Sequence, residues 1–357
     1  MNVYLSNGYA DMEKIMALPY PLIFVIGGRG TGKTYGACKV LLDLPDNEKF
    51  FFLRRTQDEA DTIAFTDFSP FQPIINDNPE AYAPIVVDRL PHVKNISGVW
   101  YGEENDNGKL VATGETIGYI GALSTIHKIR GFNMASVTMG VYDEFIPEKH
   151  VAAFRGGARG EGDALLNAFE TIDRNRQLKG DKPFKLVCLS NANSIASPVF
   201  QSLGIMDAVN KMALKGKQEC ILAERGIAIF ILRDSPISAQ KSQTALYRAA
   251  GASDFTTMAL KNDFSADTYL YIEPQPINEY VIKISLADDV FIYQHKSNRG
   301  KWYVTRHKSG AVQRTYNDDE ISKKRFKRQE QHLLESLLRG NVAFADYYCK
   351  YILTNFL

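Results

Sequence analysis

The run Gly27-Gly28-Arg29-Gly30-Thr31-Gly32-Lys33-Thr34 fits G-x-x-x-x-G-K-[ST] at every fixed position. Each residue type has a chemical reason to be there. Glycines let successive backbone N–H groups turn inward around a β-phosphate. Lys33 carries a point charge to the β- and γ-phosphates. The Thr34 hydroxyl is a hard oxygen of the kind Mg²⁺ takes as a ligand. A helix starting at this point offers its positive end to the same anion. The pattern predicts binding of ATP with Mg²⁺, and Arg29 lies close enough in sequence to touch the γ-phosphate.

Downstream, VTMGVYDEF ends a mostly apolar run on the pair Asp143-Glu144. An Asp here is the expected water-mediated partner of Mg²⁺, and a Glu directly after it can polarise the attacking water. Adjacent strand residues point to opposite faces, but a bend at the strand's end can turn both carboxylates toward one phosphate. The pair favours hydrolysis over transfer to a small substrate. Asp88 in IVVDR is a rival acid that lacks the following Glu. Asn191 ends another apolar run, Lys185 to Ser190, where it can reach the γ-phosphate or the water if that strand neighbours the acidic one; a turn-forming Asn is the plainer reading. Arg174 and Arg176 are two apart on a helix and project differently, so they cannot share one job. One suits support of the fold, the other contact with a neighbouring subunit's nucleotide.

Basic residues fall in small clusters: Arg54-Arg55, Lys128 with Arg130, Arg155 and Arg159 in a glycine-rich stretch, and KKRFKR from Lys323 to Arg328. Each can hold DNA phosphates, and ordinary surface charge explains each equally well.

The elements that position these residues follow from apolar patterning. Leu22 to Ile26 reads as a buried parallel strand running into the glycine loop, with a helix from Tyr35 to Leu44. Phe50 to Leu53, Ser136 to Tyr142 and Phe184 to Ser190 read as further strands. Val99 to Ile120 alternates around Asn107-Gly108, a hairpin signal. Leu165 to Arg176 reads as a helix. Strands alternating with helices predict an α/β P-loop domain with a parallel sheet and helices on both faces, over residues 1–205. Residues 206–264 read as a helical, loop-rich linker or lid. Residues 265–357 read as a small α+β domain: a meander over Tyr280 to Leu286, Val290 to His295 and Lys301 to Arg306, then helices from Ile321 and over Val342 to Leu353.

A chain of 357 residues with 45% hydrophobic and 23% charged residues suits two globular domains. The net charge of +1 excludes a global basic field, so any nucleic-acid contact must be local. Cys38, Cys188, Cys220 and Cys349 are too scattered for a zinc or disulfide framework. No apolar run reaches the roughly 20 residues that span a bilayer, and Met1 to Pro19 does not read as a signal peptide.

Taken together, FVIGGRGTGKTYGA (Phe24 to Ala37), VYDEFIPEK (Val141 to Lys149), DRNR (Asp173 to Arg176) and VCLSNANS (Val187 to Ser194) resemble the genome-packaging ATPases of small tailed phages of the φ29 type, within the additional-strand P-loop ATPases that include terminases. The resemblance is clear over Leu22 to Phe200 and weaker beyond, though MALKNDF (Met258 to Phe264) fits too. It implies a homo-oligomeric ring, pentameric in that family, that drives double-stranded DNA into a prohead in the infected host's cytoplasm. The portal or connector, with an RNA scaffold between, is the implied docking partner, and no membrane is involved. Implied roles are Lys33 and Thr34 on nucleotide and Mg²⁺, Asp143 on Mg²⁺, Glu144 as catalytic glutamate and Asn191 as sensor. Arg174 is the implied trans-acting finger, with Arg176 in reserve. The C-terminal domain is implied to resemble a degenerate RNase H-like nuclease. An active nuclease needs acids in its first core strand, and Val281 to Leu286 has none, with Asp288-Asp289 in the turn after it. No nuclease activity is expected. A P-loop kinase acting on a small molecule and a nucleotide-switched binding module are the other function classes the loop alone permits.

Overall fold

The computed structural model describes residues 1–91, 93–129, 131–146, 157–192, 197–251, 256, 272–287 and 289–357. Arg130, Arg155, Asp288 and the stretch 258–264 lie outside the described residues, as do 147–149 and 193–194 of two motifs and the side chain of Arg159. The chain divides into two compact units, 1–202 with 212–266, and 203–211 with 267–357.

The first unit is built on a nine-stranded sheet in the order β3-β4-β5-β2-β6-β7-β1-β9-β8. Its strands are β1 (Leu22–Gly27), β2 (Lys49–Arg54), β3 (Ile85–Arg89), β4 (Ile96–Glu104), β5 (Leu110–Ala122), β6 (Val137–Asp143), β7 (Lys185–Ser190), β8 (Glu219–Leu222) and β9 (Ile227–Leu232). The six from β5 to β9 in that order are parallel; β3, β4 and β8 join by antiparallel pairing, with β3 and β8 at the edges. Every residue of β1 is buried, which is why its sequence is apolar without alternation. One face packs on α1 (Met12–Met16), α2 (Lys33–Leu42) and, past α3 (Gln57–Ile63), α4 (Gln72–Asp77). The other face is covered by α5 (Gly157–Asp173) and α6 (Pro198–Ser202), with Phe24 meeting Phe200 of α6 at 5.2 Å between ring centroids.

Adjacent parallel strands bring their carboxyl ends to one edge. Ile26 pairs with Ser190, Asp143 with Leu189, and Leu53 with Tyr142. The glycine loop, the acidic pair, Asn191 and Arg54 therefore leave the sheet side by side, where ligands of open α/β sheets bind.

The segment read from sequence as a helical, loop-rich linker differs most from that reading. After α7 (Met206–Leu214) it supplies β8 and β9, and β9 pairs with β1 along its whole length. The run IAIFIL is buried throughout. It covers the edge that β1 would otherwise leave unpaired, a position few proteins leave bare. Only α8 (Pro236–Lys241) and α9 (Ala245–Ala250) fit the helical expectation among the described residues that follow.

The second unit carries a five-stranded sheet in the order β13-β10-β11-β12-β14. The strands β10 (Tyr280–Leu286), β11 (Val290–His295) and β12 (Trp302–Thr305) form the antiparallel meander expected from sequence. Two short strands the sequence reading missed, β13 (Arg314–Tyr316) and β14 (Val342–Phe344), add in parallel beside β10 and β12. The helix expected from Val342 starts instead at Tyr347, because the Asp346 side chain caps it by accepting from the N–H of Cys349 at 2.8 Å. With α10 (Glu320–Gln329) and α11 (Gln331–Leu338), this α12 (Tyr347–Asn355) covers the apolar face of the sheet, where Ile292, Val304, Phe326 and Leu353 are buried.

Candidate nucleotide site

The loop after β1 turns through left-handed backbone at Gly30 (φ 68°) and Gly32 (φ 83°), which side chains beyond Cα would strain. Gly32 caps α2 without any side-chain hydrogen bond. The first N–H groups of that helix are thus left open toward an anion. Lys33 is buried and folds back on its own loop, donating to the carbonyls of Gly28 at 2.7 Å and Gly27 at 3.1 Å. Burial pushes its ammonium down to about 8, with repulsion from Lys241 adding and attraction to Asp143 opposing.

That value has a consequence for binding. Above about pH 8 the free protein holds mostly neutral Lys33, whereas a bound triphosphate demands the charged form. Affinity for ATPγS is expected to be flat below pH 8 and to fall by up to about tenfold per pH unit above it. Calorimetric titrations across that range check this, and an affinity unchanged well above pH 8 would refute it.

Asp143 ends β6 almost fully buried, with its carboxylate oxygens 3.3 and 3.4 Å from the Thr34 hydroxyl. Burial pushes this carboxyl up, and the Arg54 guanidinium pulls it back. The expected bend falls on the next residue. Glu144 adopts φ 60°, a left-handed conformation that a non-glycine residue holds only where its surroundings enforce it. Those surroundings are visible: Phe145 N–H donates to Leu189 O at 3.2 Å, and Ile146 N–H donates to Ser190 Oγ at 3.2 Å. The Phe145 ring is buried against Phe24 and Phe200 at 5.4 and 5.3 Å. Both carboxylates consequently line one cleft with the loop from Arg29 to Tyr35, Ser190 and Asn191.

Two residues read from sequence as DNA contacts are elsewhere engaged. Arg54 bridges the acidic pair, with Nη1 3.1 Å from Asp143 Oδ2 and Nη2 2.6 Å from Glu144 Oε2. It does so because β2 runs beside β6 and ends at the same edge. Arg55, the first residue past the end of β2, takes the opposite direction. It is buried, with Nε 3.0 Å from Glu161 Oε2, and the Tyr142 hydroxyl donates to the other Glu161 oxygen at 2.8 Å. Neither guanidinium lies free on the surface for DNA. Of the other basic candidates, Lys128 is exposed on the short turn after β5, and the run from Lys323 to Arg328 is exposed except for partly covered Lys323 and the buried ring of Phe326. Asp88 is exposed on edge strand β3 and does not line the cleft.

The helix expected to run to Arg176 stops at Asp173, and Arg174 and Asn175 are left-handed, so the two arginines separate by this turn of the backbone and not by helical spacing. Arg176 is buried and donates to Met134 O and Ala135 O at 2.8 and 3.0 Å, pinning the turn that precedes β6. Arg174 stays exposed and donates to Phe132 O at 2.8 Å. Because α5 carries the chain back to the amino end of β7, Arg174 sits at the edge of the sheet away from its own cleft.

The residues suit a Mg²⁺–nucleotide. Thr34 Oγ1 and Asp143 converge from two elements, next to a buried lysine and an open helix N-terminus. Among the described residues no group of three or more His, Cys, Asp and Glu is placed to hold a metal alone. Mg²⁺ in phosphate sites needs none, since it takes one or two protein oxygens and completes its shell with phosphates and water.

Residues 106–351 match the family model of the Podovirus DNA encapsidation protein (Gp16). The chain belongs to this family. The match begins after the glycine loop and runs through the acidic pair into the last helix, well beyond the part in which motifs are legible. Among relatives of this encapsidation family, the DNA packaging protein of Bacillus phage B103 is 27% identical over 259 residues, covering 72% of this chain and 68% of that protein. The fold is shared with the Phi-28 gp11 DNA packaging motor, at a TM-score of 0.61 and 18% identity over 98% of this chain and 97% of that one. It is shared equally with the bacteriophage Phi-29 viral genome packaging motor assembly, at a TM-score of 0.62 and 19% identity over 97% and 96%.

Proposed function

We propose that this chain is the ATPase of a phage DNA-packaging motor, hydrolysing ATP to drive double-stranded DNA into a prohead. The observation that carries this reading is the meeting of Lys33, Thr34, Asp143 and Glu144 in one cleft of an encapsidation-family chain. The B103 relative's name and the fold shared with two packaging motors support it.

In the proposed mechanism, the loop from Gly27 to Thr34 wraps the phosphates with backbone N–H groups, and Lys33 leaves its carbonyls to neutralise them. Arg29 adds charge at the γ-phosphate. Thr34 and Asp143 would hold Mg²⁺, which supplies charge to the leaving phosphates when bound. Glu144 takes a proton from the attacking water, and Asn191 orients that water. Arg174 reaches the nucleotide of a neighbouring subunit in a ring, a pentamer by resemblance. Lys128, Arg130, Arg155, Arg159 and the run from Lys323 to Arg328 are the remaining candidates for the DNA track.

The chemistry is assigned to the first unit. The ring, docked through the portal and an RNA scaffold, would act in the host cytoplasm; among the described residues no helix is long and apolar enough to cross a membrane. The second unit is read as a degenerate RNase H-like domain. The parallel strand β13 beside β10 supports that, and β14 beside β12 departs from it. Strand β10 carries no acid, and the Asp289 carboxylate accepts from the Tyr348 hydroxyl at 2.7 Å. No nuclease activity is therefore assigned.

ATP turnover with and without duplex DNA tests the reading. DNA is expected to stimulate turnover several-fold, with the stimulation collapsing between about 50 and 200 mM salt as phosphate contacts are screened. Turnover indifferent to DNA, with steady phosphoryl transfer to a metabolite, would replace it with a kinase.

A further inference from the structure

Arg29 and Gly30 form the crest of the phosphate loop, and a side chain from far along the sequence meets them there. Lys241, the last residue of α8, donates from Nζ to the carbonyl of Arg29. A Cβ on Gly30 would lie 3.2 Å from the same nitrogen. The ammonium is also 5.1 Å from the centroid of the Tyr247 ring in α9, and Tyr247 is itself buried. Among the described residues no carboxylate pairs with Lys241. The lysine is thus held between an aromatic face and one backbone oxygen.

A peptide unit is planar, and no described peptide is cis. The carbonyl of Arg29 and the N–H of Gly30 therefore point in opposite directions. With the carbonyl drawn toward Lys241, the N–H is turned away from α8, and Gly30 is one of the residues lining the cleft. A cation on the carbonyl polarises the same peptide and strengthens its N–H as a donor. We propose that Lys241 is a positioning residue for the nucleotide, holding the Arg29–Gly30 peptide with its N–H turned to the phosphates. The proposal rests on the ATPase reading of the cleft. It gives the segment after β9 a direct hold on the phosphate loop.

Full-length Lys241→Met, Lys241→Arg and wild-type proteins, titrated with ATPγS and with ADP, test this. The methionine variant is expected to bind both nucleotides about tenfold more weakly, the loss of one charged hydrogen bond. Arginine, which keeps the charge and the donor, is expected to bind within about twofold of wild type. The melting temperature of the nucleotide-free methionine variant is expected to stay within about 2 °C of wild type. Unchanged affinity in Lys241→Met overturns the assignment, as does an arginine variant no better than methionine. So does a fall in affinity matched by a fall in nucleotide-free melting temperature, which would mark a merely structural contact. Wild-type protein that bound neither nucleotide would overturn the ATPase reading, and this assignment with it.

Discussion

Replacing Glu144 with Gln is expected to leave ATP binding near the wild-type level and to lower turnover by roughly 10²–10⁴-fold, the usual contribution of a positioned general base. The two acids of the pair are not equivalent. Asp143 is nearly buried and lies against the Thr34 hydroxyl, a position suited to a metal. Glu144 is exposed, turned by its left-handed backbone into the same cleft, and its carboxylate is paired with Arg54. Gln keeps the size of the side chain and an oxygen that can accept from Arg54, so the fold has no reason to change. What it loses is the ability to take a proton. Phosphate release and ATPγS affinity measured side by side check the split, and a variant turning over at the wild-type rate would remove Glu144 from the mechanism.

Arg174→Ala is expected to lower the turnover of assembled protein by roughly 10³-fold or more, the range of an arginine finger, without weakening ATP binding. Geometry argues against action in its own subunit. The cleft lies at the carboxyl end of β7 and Arg174 near its amino end, and six strand residues span roughly 20 Å. The residue is presented by two successive left-handed positions, Arg174 at φ 47° and Asn175 at φ 59°. Such strain in non-glycine residues gathers where a side chain must be aimed. Mixing Arg174→Ala with Lys33→Ala pairs an intact cleft with an intact finger at some interfaces of a ring. Partial recovery of turnover is expected, and no recovery at any ratio would count against trans action.

These assignments differ in how far local sequence could reach them. The glycine loop was legible because its cleft-lining residues are contiguous in sequence. Asp143 and Glu144 were legible because an apolar run must stop somewhere, and the register of β6 beside β7 carries that stop to the cleft. Arg54 and Arg55 were misread for a physical reason. Arg54 ends β2 and Arg55 follows it facing the other way, so one joined the acids and the other went into the interior. Arg174 and Arg176 were expected to diverge on a helix; they diverge because the helix ends at Asp173 and the chain passes through left-handed backbone at Arg174 and Asn175. Strand β9 was lost because its polar surroundings suggested a linker, while what demands it is the free edge of β1, some two hundred residues earlier in the chain. Lys241 had no local signal at all. The backbone oxygen its ammonium meets is 212 positions away in sequence.

The contacts of Lys33 and Arg54 describe a cleft whose charged side chains already have partners. The lysine is occupied by the carbonyls of Gly27 and Gly28, and the two carboxylates are occupied by Arg54. An arriving nucleotide therefore enters partly as a competitor for bonds already made, while the N–H groups at the start of α2 stand open to it. At Lys33 binding is an exchange in which a phosphate takes the place of two carbonyl oxygens. When the products depart, the displaced partners are at hand to close behind them. A motor that must release its spent fuel many times in succession is served by a site whose own groups can take back the bonds the product leaves.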